Sequence, residues 1–261
     1  MNRSLLAAIL SVTALLASTP SARAAQAGPL IAAAADLRFA MEEVAARYKA
    51  ETGGAVRLSY GSSGNFYTQL TQGAPFELFM SADEEYVFRL ADAGLTRDKG
   101  TLYAIGRIAL FAPHGSALTV DERLNGLRAL LGAGKLSRLA IADPSHAPYG
   151  RAAREALVHA GVWDGVQSRL VFGENASQAA QFASSGATDG GIIPLSLAMA
   201  PTVSRLGSFA ALPAGWHAPL RQRMVVMKNA GPAAGAFYRY LQTPAARGIF
   251  RAYGFTLPEE R

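Results

Sequence analysis

Ala32-Ala33-Ala34-Ala35-Asp36 and, one strand later, Gly61-Ser62-Ser63-Gly64 are the stretches that decide how this chain folds. Each follows an apolar strand and leads directly into a helix pattern. Small residues at a strand-to-helix turn leave backbone N–H groups bare and let a ligand approach, and the helix dipole adds positive potential at that point. The pair reads as an anion cradle.

Outward from these turns the periodicities alternate. Leu30 to Ala34 reads as a buried strand, and Leu37, Ala40, Met41, Val44, Ala45 and Tyr48 then recur at helical spacing until Gly53-Gly54 ends the helix. Val56 to Tyr60 alternates as a strand, and Phe66 and Leu70 suit the helix after it. Glu77 to Met80 is a third strand, and Ser81-Ala82-Asp83-Glu84 offers capping chemistry for a helix carrying Val87, Leu90 and Ala91. The apolar stretch Tyr103 to Pro113, broken by Gly106, reads as a crossing between lobes. The pattern then restarts, with helices at Leu124–Leu131, Tyr149–Ala160 and Ala176–Ala183 and strands at Leu139–Ala142, Leu170–Phe172 and Gly191–Ile193. Met224 to Met227 reads as a returning strand and Ala236 to Tyr253 as one amphipathic helix. This order predicts an α/β fold with mostly parallel sheets in two lobes, 25–107 with 223–261 and 108–222, and a ligand cleft between them.

The beginning of the chain reads differently. Met1-Asn2-Arg3, the apolar run Leu5 to Leu16, a Ser/Pro break and Ala22-Arg23-Ala24 follow the order of a secretory signal peptide over 1–24, which predicts export and a soluble mature protein. The apolar run is shorter than the ~18 residues that a membrane span requires. There is no cysteine, so thiol catalysis, zinc–thiolate sites and disulfides are excluded. The formal net charge is +6, of which Arg3 and Arg23 carry two, and the remaining Lys and Arg residues are dispersed. Arg221 and Arg223 come nearest to a patch and read as solvated surface beside a strand, so no nucleic-acid partner is expected.

Catalytic and metal chemistry find little support. His114, His146, His159 and His217 lack metal-ligand spacing, and the adjacent pairs Glu42-Glu43 and Glu84-Glu85 point in different directions on their helices, as solvated faces do. Gly61-Ser62-Ser63-Gly64-Asn65 approaches the nucleophile elbow of serine hydrolases, with His217 as a formal base, but Asn65 stands where the last glycine is required. A site built from neutral dipoles is better served: turns at Asp36 and Ser63 in the first lobe, and at Pro148-Tyr149-Gly150 and Asn175-Ala176-Ser177 in the second, each open a helix.

Several runs along the chain resemble the periplasmic molybdate-binding component of ABC transporters: the alanine opening before the first helix, Ser62-Ser63, Gly73-Ala74-Pro75-Phe76-Glu77-Leu78-Phe79-Met80-Ser81-Ala82-Asp83, Asp143 to Gly150 and Ile249 to Phe255. That resemblance implies a two-lobed, class II periplasmic binding protein without catalysis or cofactor. Such a protein is a monomer that closes over molybdate or tungstate and delivers it to a membrane permease. It implies ligand contacts at Ala35 or Asp36, Ser63, Tyr149 and Ala176, all to oxygens of the anion, with no protein ligand to the metal. Ser63 would donate through N–H and hydroxyl, and Asp36, Tyr149 and Ala176 through backbone N–H. Two departures stand out: Asp36 brings a carboxylate where a neutral donor is usual, its side chain expected to cap the following helix, and Pro194 stands where some members place a tyrosine hydroxyl. Sulfate and phosphate are therefore alternative ligands, and a secreted serine hydrolase is the alternative from another class.

Overall fold

The computed structural model describes residues 28–258; the expected signal peptide and its cleavage site lie outside these residues. The chain begins with β1 (Leu30–Ala34), a 3-10 turn (Ala35–Leu37), α1 (Arg38–Thr52), β2 (Arg57–Gly61), α2 (Ser63–Thr71), β3 (Leu78–Ser81), α3 (Glu84–Asp92) and β4 (Thr101–Gly106). It crosses once at Arg107. The second lobe follows with β5 (Ile108–Pro113), α4 (Asn125–Gly132), β6 (Leu139–Ala142), α5 (Pro148–His159), α6 (Trp163–Val166), β7 (Leu170–Gly173) and α7 (Ala176–Ser184). It continues with β8 (Gly190–Pro194), α8 (Leu195–Ala198), α9 (Pro201–Ser204) and β9 (Gly207–Ala211). The chain then returns to the first lobe as β10 (Leu220–Val226), α10 (Pro232–Tyr240) and α11 (Pro244–Ala252).

Two five-stranded sheets result, in the order β2-β1-β3-β10-β4 and β7-β6-β8-β5-β9. They are mixed rather than mostly parallel. The β1/β2, β1/β3, β6/β7 and β6/β8 pairs are parallel, whereas β10 is antiparallel to β3 and β4, and β5 is antiparallel to β8 and β9. The exceptions have one cause: β5 and β10 enter their sheets from the other lobe instead of through a right-handed strand–helix–strand unit, so nothing requires them to run with their neighbours. The return strand starts at Leu220, three residues before the expected lobe boundary at 223.

The alanine-rich β1 is buried on both faces. Ile31 and Ala33 join the core that contains Leu37 from the 3-10 turn and Met41 and Val44 from α1, while Ala32 clusters with Phe66, Leu70, Phe79, Val87 and Leu90. Short side chains on β1 let the helices covering both faces come close. The expected single helix over 236–253 is two, because Pro244 supplies no N–H to continue α10; Thr243 accepts from the Ala246 N–H and caps a fresh start.

Close approach also sets where α5 begins. A Cβ on Gly150 would lie 2.3 Å from the Ala142 carbonyl oxygen and 2.7 Å from the Asp143 carbonyl carbon, both backbone atoms of the β6 end. Gly150→Ala should therefore push the first turn of α5 outward and destabilise the fold by about 1–3 kcal/mol. Chemical denaturation of the variant should show this loss, and wild-type stability would mean that the helix start is not pinned against β6.

Candidate functional site

Four chain turns meet in a small cavity between the lobes: Ala35 and Asp36 after β1, Ser62 and Ser63 after β2, Tyr149 at the head of α5, and Ala176 at the head of α7. The first two belong to one lobe and the last two to the other. Each is made by local capping chemistry. Ser62 is the N-cap of α2 and accepts from the Asn65 N–H; Asn175 is the N-cap of α7 and accepts from the Gln178 N–H; Pro148 opens α5, where a missing N–H costs nothing. The N–H groups of Ser63, Tyr149 and Ala176 lie in the first turns of their helices, where no intrahelical acceptor exists, and they find none elsewhere among the described residues. Ser63 is buried, and its hydroxyl oxygen accepts from the Ala82 N–H at 2.9 Å, so its own proton remains available to an acceptor. Such converging donors stabilise negative charge without a countercharge.

Asp36 does not cap a helix. The turn after β1 is 3-10 and α1 begins only at Arg38, so Asp36 lies inside the turn rather than before the helix, and its side chain faces β10 instead. Its Oδ2 accepts from Gln222 Nε2 at 2.6 Å; the same nitrogen donates to the Tyr149 hydroxyl at 2.9 Å, and Gln222 Oε1 accepts from the Tyr103 hydroxyl at 2.7 Å. Burial pushes the Asp36 carboxyl up to about 6, against the hydrogen bond from Gln222, the nearby Tyr149 phenol and its own backbone N–H, which favour the ionised form. Both phenols are driven well above their ordinary value by burial first and by the charge of Asp36 second. Sequence reasoning missed Gln222 and Tyr103. The signal for Gln222 was present: Leu220, Gln222 and Met224 share the inward face of β10, and a polar residue on such a face needs partners.

The lobes are in contact around this cavity. Ser177 donates to the Ala35 carbonyl at 2.9 Å and Ser196 to the Asp36 carbonyl at 2.8 Å, while the Gly64 N–H donates to the His146 carbonyl at 3.1 Å. His146 Nδ1 lies 2.9 Å from the Ser62 hydroxyl, Asn65 donates to Glu174, and Arg151 pairs with Asp83. His146 thus meets Ser62, the cap, and not Ser63. His217, the formal base of the hydrolase alternative, bonds the Ala218 carbonyl and lines a separate groove of about 760 Å³ along α5. Pro194 ends β8, paired with Ile108, and supplies no donor. Arg221, exposed as expected, and Arg223, largely buried, both bond Glu84, with Arg223 at 2.9 and 3.1 Å, and tie β10 to α3. Glu84 is accordingly largely buried rather than a solvated helix face.

Two α/β lobes, linked by two chain crossings and closed over a cavity lined with backbone donors, define a two-lobed solute-binding protein. The chain belongs to the family of bacterial extracellular solute-binding proteins, whose model matches residues 29–256. It is 35% identical over 235 residues to the molybdate-binding protein ModA of Rhodobacter capsulatus, covering 88% of this chain and 89% of that protein. It is 33% identical over 231 residues to ModA of Escherichia coli, covering 86% and 87%. Among solved structures it resembles the periplasmic molybdate-binding protein of Azotobacter vinelandii, with a TM-score of 0.81 and 30% identity over 88% of this chain and 100% of that one. A sulfate-binding protein of Mycobacterium tuberculosis shares the fold at 17% identity and a TM-score of 0.69, over 88% of this chain and 86% of that one.

Two outcomes follow from this geometry. A carboxyl raised from 3.8 to about 6 by folding takes stability away as pH rises through that window, fully so above it. Relative to wild type, Asp36→Asn should therefore gain about 2–3 kcal/mol of stability on going from pH 4 to 7.5, measured by denaturation of both proteins across that range. Arg151→Ala removes a half-exposed bridge between the lobes, worth roughly 0.5–1 kcal/mol. It should increase the radius of gyration of the unliganded protein in small-angle scattering and weaken ligand binding about two- to fivefold.

Proposed function

We propose that this protein captures a tetrahedral oxyanion, molybdate or tungstate, outside the cytoplasmic membrane and hands it to the permease of an ABC transporter. The observation that carries this reading is the convergence of the Ser63, Tyr149 and Ala176 amides, with the Ser63 hydroxyl, on one cavity shared by two lobes. A metalate dianion has acceptor-only oxygens, which suits a site made of donors and needs no protein ligand to the metal. Backbone dipoles hold it without a fixed cation, which favours release as well as capture. The contacts assigned to the anion are Ala35 or Asp36, Ser63, Tyr149 and Ala176. The names of the relatives support molybdate and a periplasmic setting, and the signal-peptide pattern at 1–24 agrees with export. The protein works as a monomer, and binding followed by transfer leaves the anion chemically unchanged, so no catalytic residue and no cofactor is assigned.

Opening for uptake and release turns on the two crossings, at Arg107 and between β9 and β10, as hinged lobes do. Each opening breaks the contacts made by Ser177, Ser196 and Arg151 across the cleft.

A thermal-shift panel of molybdate, tungstate, sulfate, phosphate, amino acids and sugars tests the ligand class, since a tight ligand raises apparent stability by mass action. Molybdate and tungstate should give the largest shifts; an amino acid or sugar in their place would refute the oxyanion reading. Loss of a hydrogen bond to a charged ligand costs roughly 1.5–3 kcal/mol, so Ser63→Ala should weaken binding about tenfold or more in calorimetry. Unchanged affinity in a folded Ser63→Ala protein would remove this side chain from the site.

A further inference from the structure

Asp36 is the odd member of the cavity. The residue is 1% exposed, Oδ2 is used by Gln222, and Oδ1 has no hydrogen-bond partner among the described residues. Buried carboxylates are ordinarily matched by a cation or by several donors. The groups that face this one are Gln222 from β10, Tyr149 from α5 and Tyr103 from β4. The two phenols are the titratable ones, and both are held neutral. Ser177 from α7 and Ser196 from α8 approach, but their hydroxyls bond the backbone carbonyls of Ala35 and Asp36. Arg38, two residues along, is half exposed and paired with Glu42. Among the described residues no cation balances the charge of Asp36.

Resting on the oxyanion reading above, we infer that loading this cavity with a fully ionised dianion takes up one proton on Asp36, so that the closed, loaded site contains a carboxylic acid. Two negative groups sharing one desolvated space cannot both remain ionised, and the group with an accessible protonated form yields. Asp36 is poised for this, because burial in this cavity has already raised its carboxyl to about 6 in the free protein, so that a nearby anion need raise it only a little further. As an acid it keeps an acceptor oxygen for Gln222, while the buried, unpartnered Oδ1 can carry the proton. The same residue then reads the protonation state of the anion. Molybdate, tungstate and sulfate carry no proton near neutral pH, so each requires the acid form of Asp36. Dihydrogen phosphate, a monoanion, brings its own proton and can donate it in a hydrogen bond to ionised Asp36, which gives the same total charge with no proton taken up.

Calorimetry in two buffers of different protonation enthalpy counts the protons directly. With molybdate and with tungstate, the wild-type protein should take up close to one proton per anion at about pH 8, and affinity should fall about tenfold per pH unit between about 6.5 and 8.5. Asp36→Asn, permanently neutral, should bind with no uptake and no slope, and more tightly than wild type at the top of that range. Should that variant fail to fold, the wild-type uptake alone decides the matter. Tight binding of molybdate with no proton taken up and a flat pH profile overturns the inference and leaves the oxyanion reading standing. Binding of neither anion at any pH overturns both.

Discussion

Helix-start amides that cannot be satisfied within their own helices are the constraint on which this structure depends. Every α-helix leaves its first N–H groups without internal acceptors, and a fold ordinarily disposes of them in solvent or in caps. Here Ser63, Tyr149 and Ala176 bring theirs to one buried point. Ser62 and Asn175 cap only the next amides along, at Asn65 and Gln178, and so leave the innermost ones free. An arrangement of this kind is costly unless an anion accompanies it, and dividing it between two lobes lets the cost be relieved by opening.

The cavity is tied directly to the strands on either side of the lobe crossings. Gln222 lies beside the register shift in β10, where the strand pairs irregularly with β4, and from there its amide reaches both Asp36 and Tyr149. Gly106, the last residue of β4 before the crossing, lies so close to the Tyr149 hydroxyl that a Cβ there would be 2.3 Å from it. Tyr149, on the helix that supplies an anion-facing amide from one lobe, is therefore hydrogen-bonded to β10 and packed against the end of β4 in the other.

Much of this was legible in the chain. The alternation of strand and helix patterns placed β1, β2, β3 and their helices within a few residues, and the small-residue turns singled out Asp36, Ser63, Tyr149 and Ala176, which meet although they come from two lobes far apart in the chain. What escaped were features set by tertiary context. Strand direction in β5 and β10 follows from which lobe the chain arrives from, and no local pattern encodes that. The side chain of Asp36 turned to β10 because the turn tightened to 3-10, a choice of one residue in register. The pairing of Arg221 and Arg223 with Glu84 could not be read locally, because Glu84 on α3 stands within reach only once β10 has joined the sheet next to β3.

That late arrival of β10 has a bearing on how the molecule is made. The second sheet draws all its strands from 108–211, a continuous run that holds every partner it needs. The first sheet does not: β10 separates β3 from β4, so its middle is missing until residues 220–226 have been synthesised. Contacts of such sequence separation form slowly, because a long loop must close before they are rewarded. The order of assembly is thus written into the topology, with the inserted lobe able to condense first and act as the scaffold whose two ends bring β4 and β10 side by side. A chain kept from completing β10 would present β3 and β4 as unpaired edges.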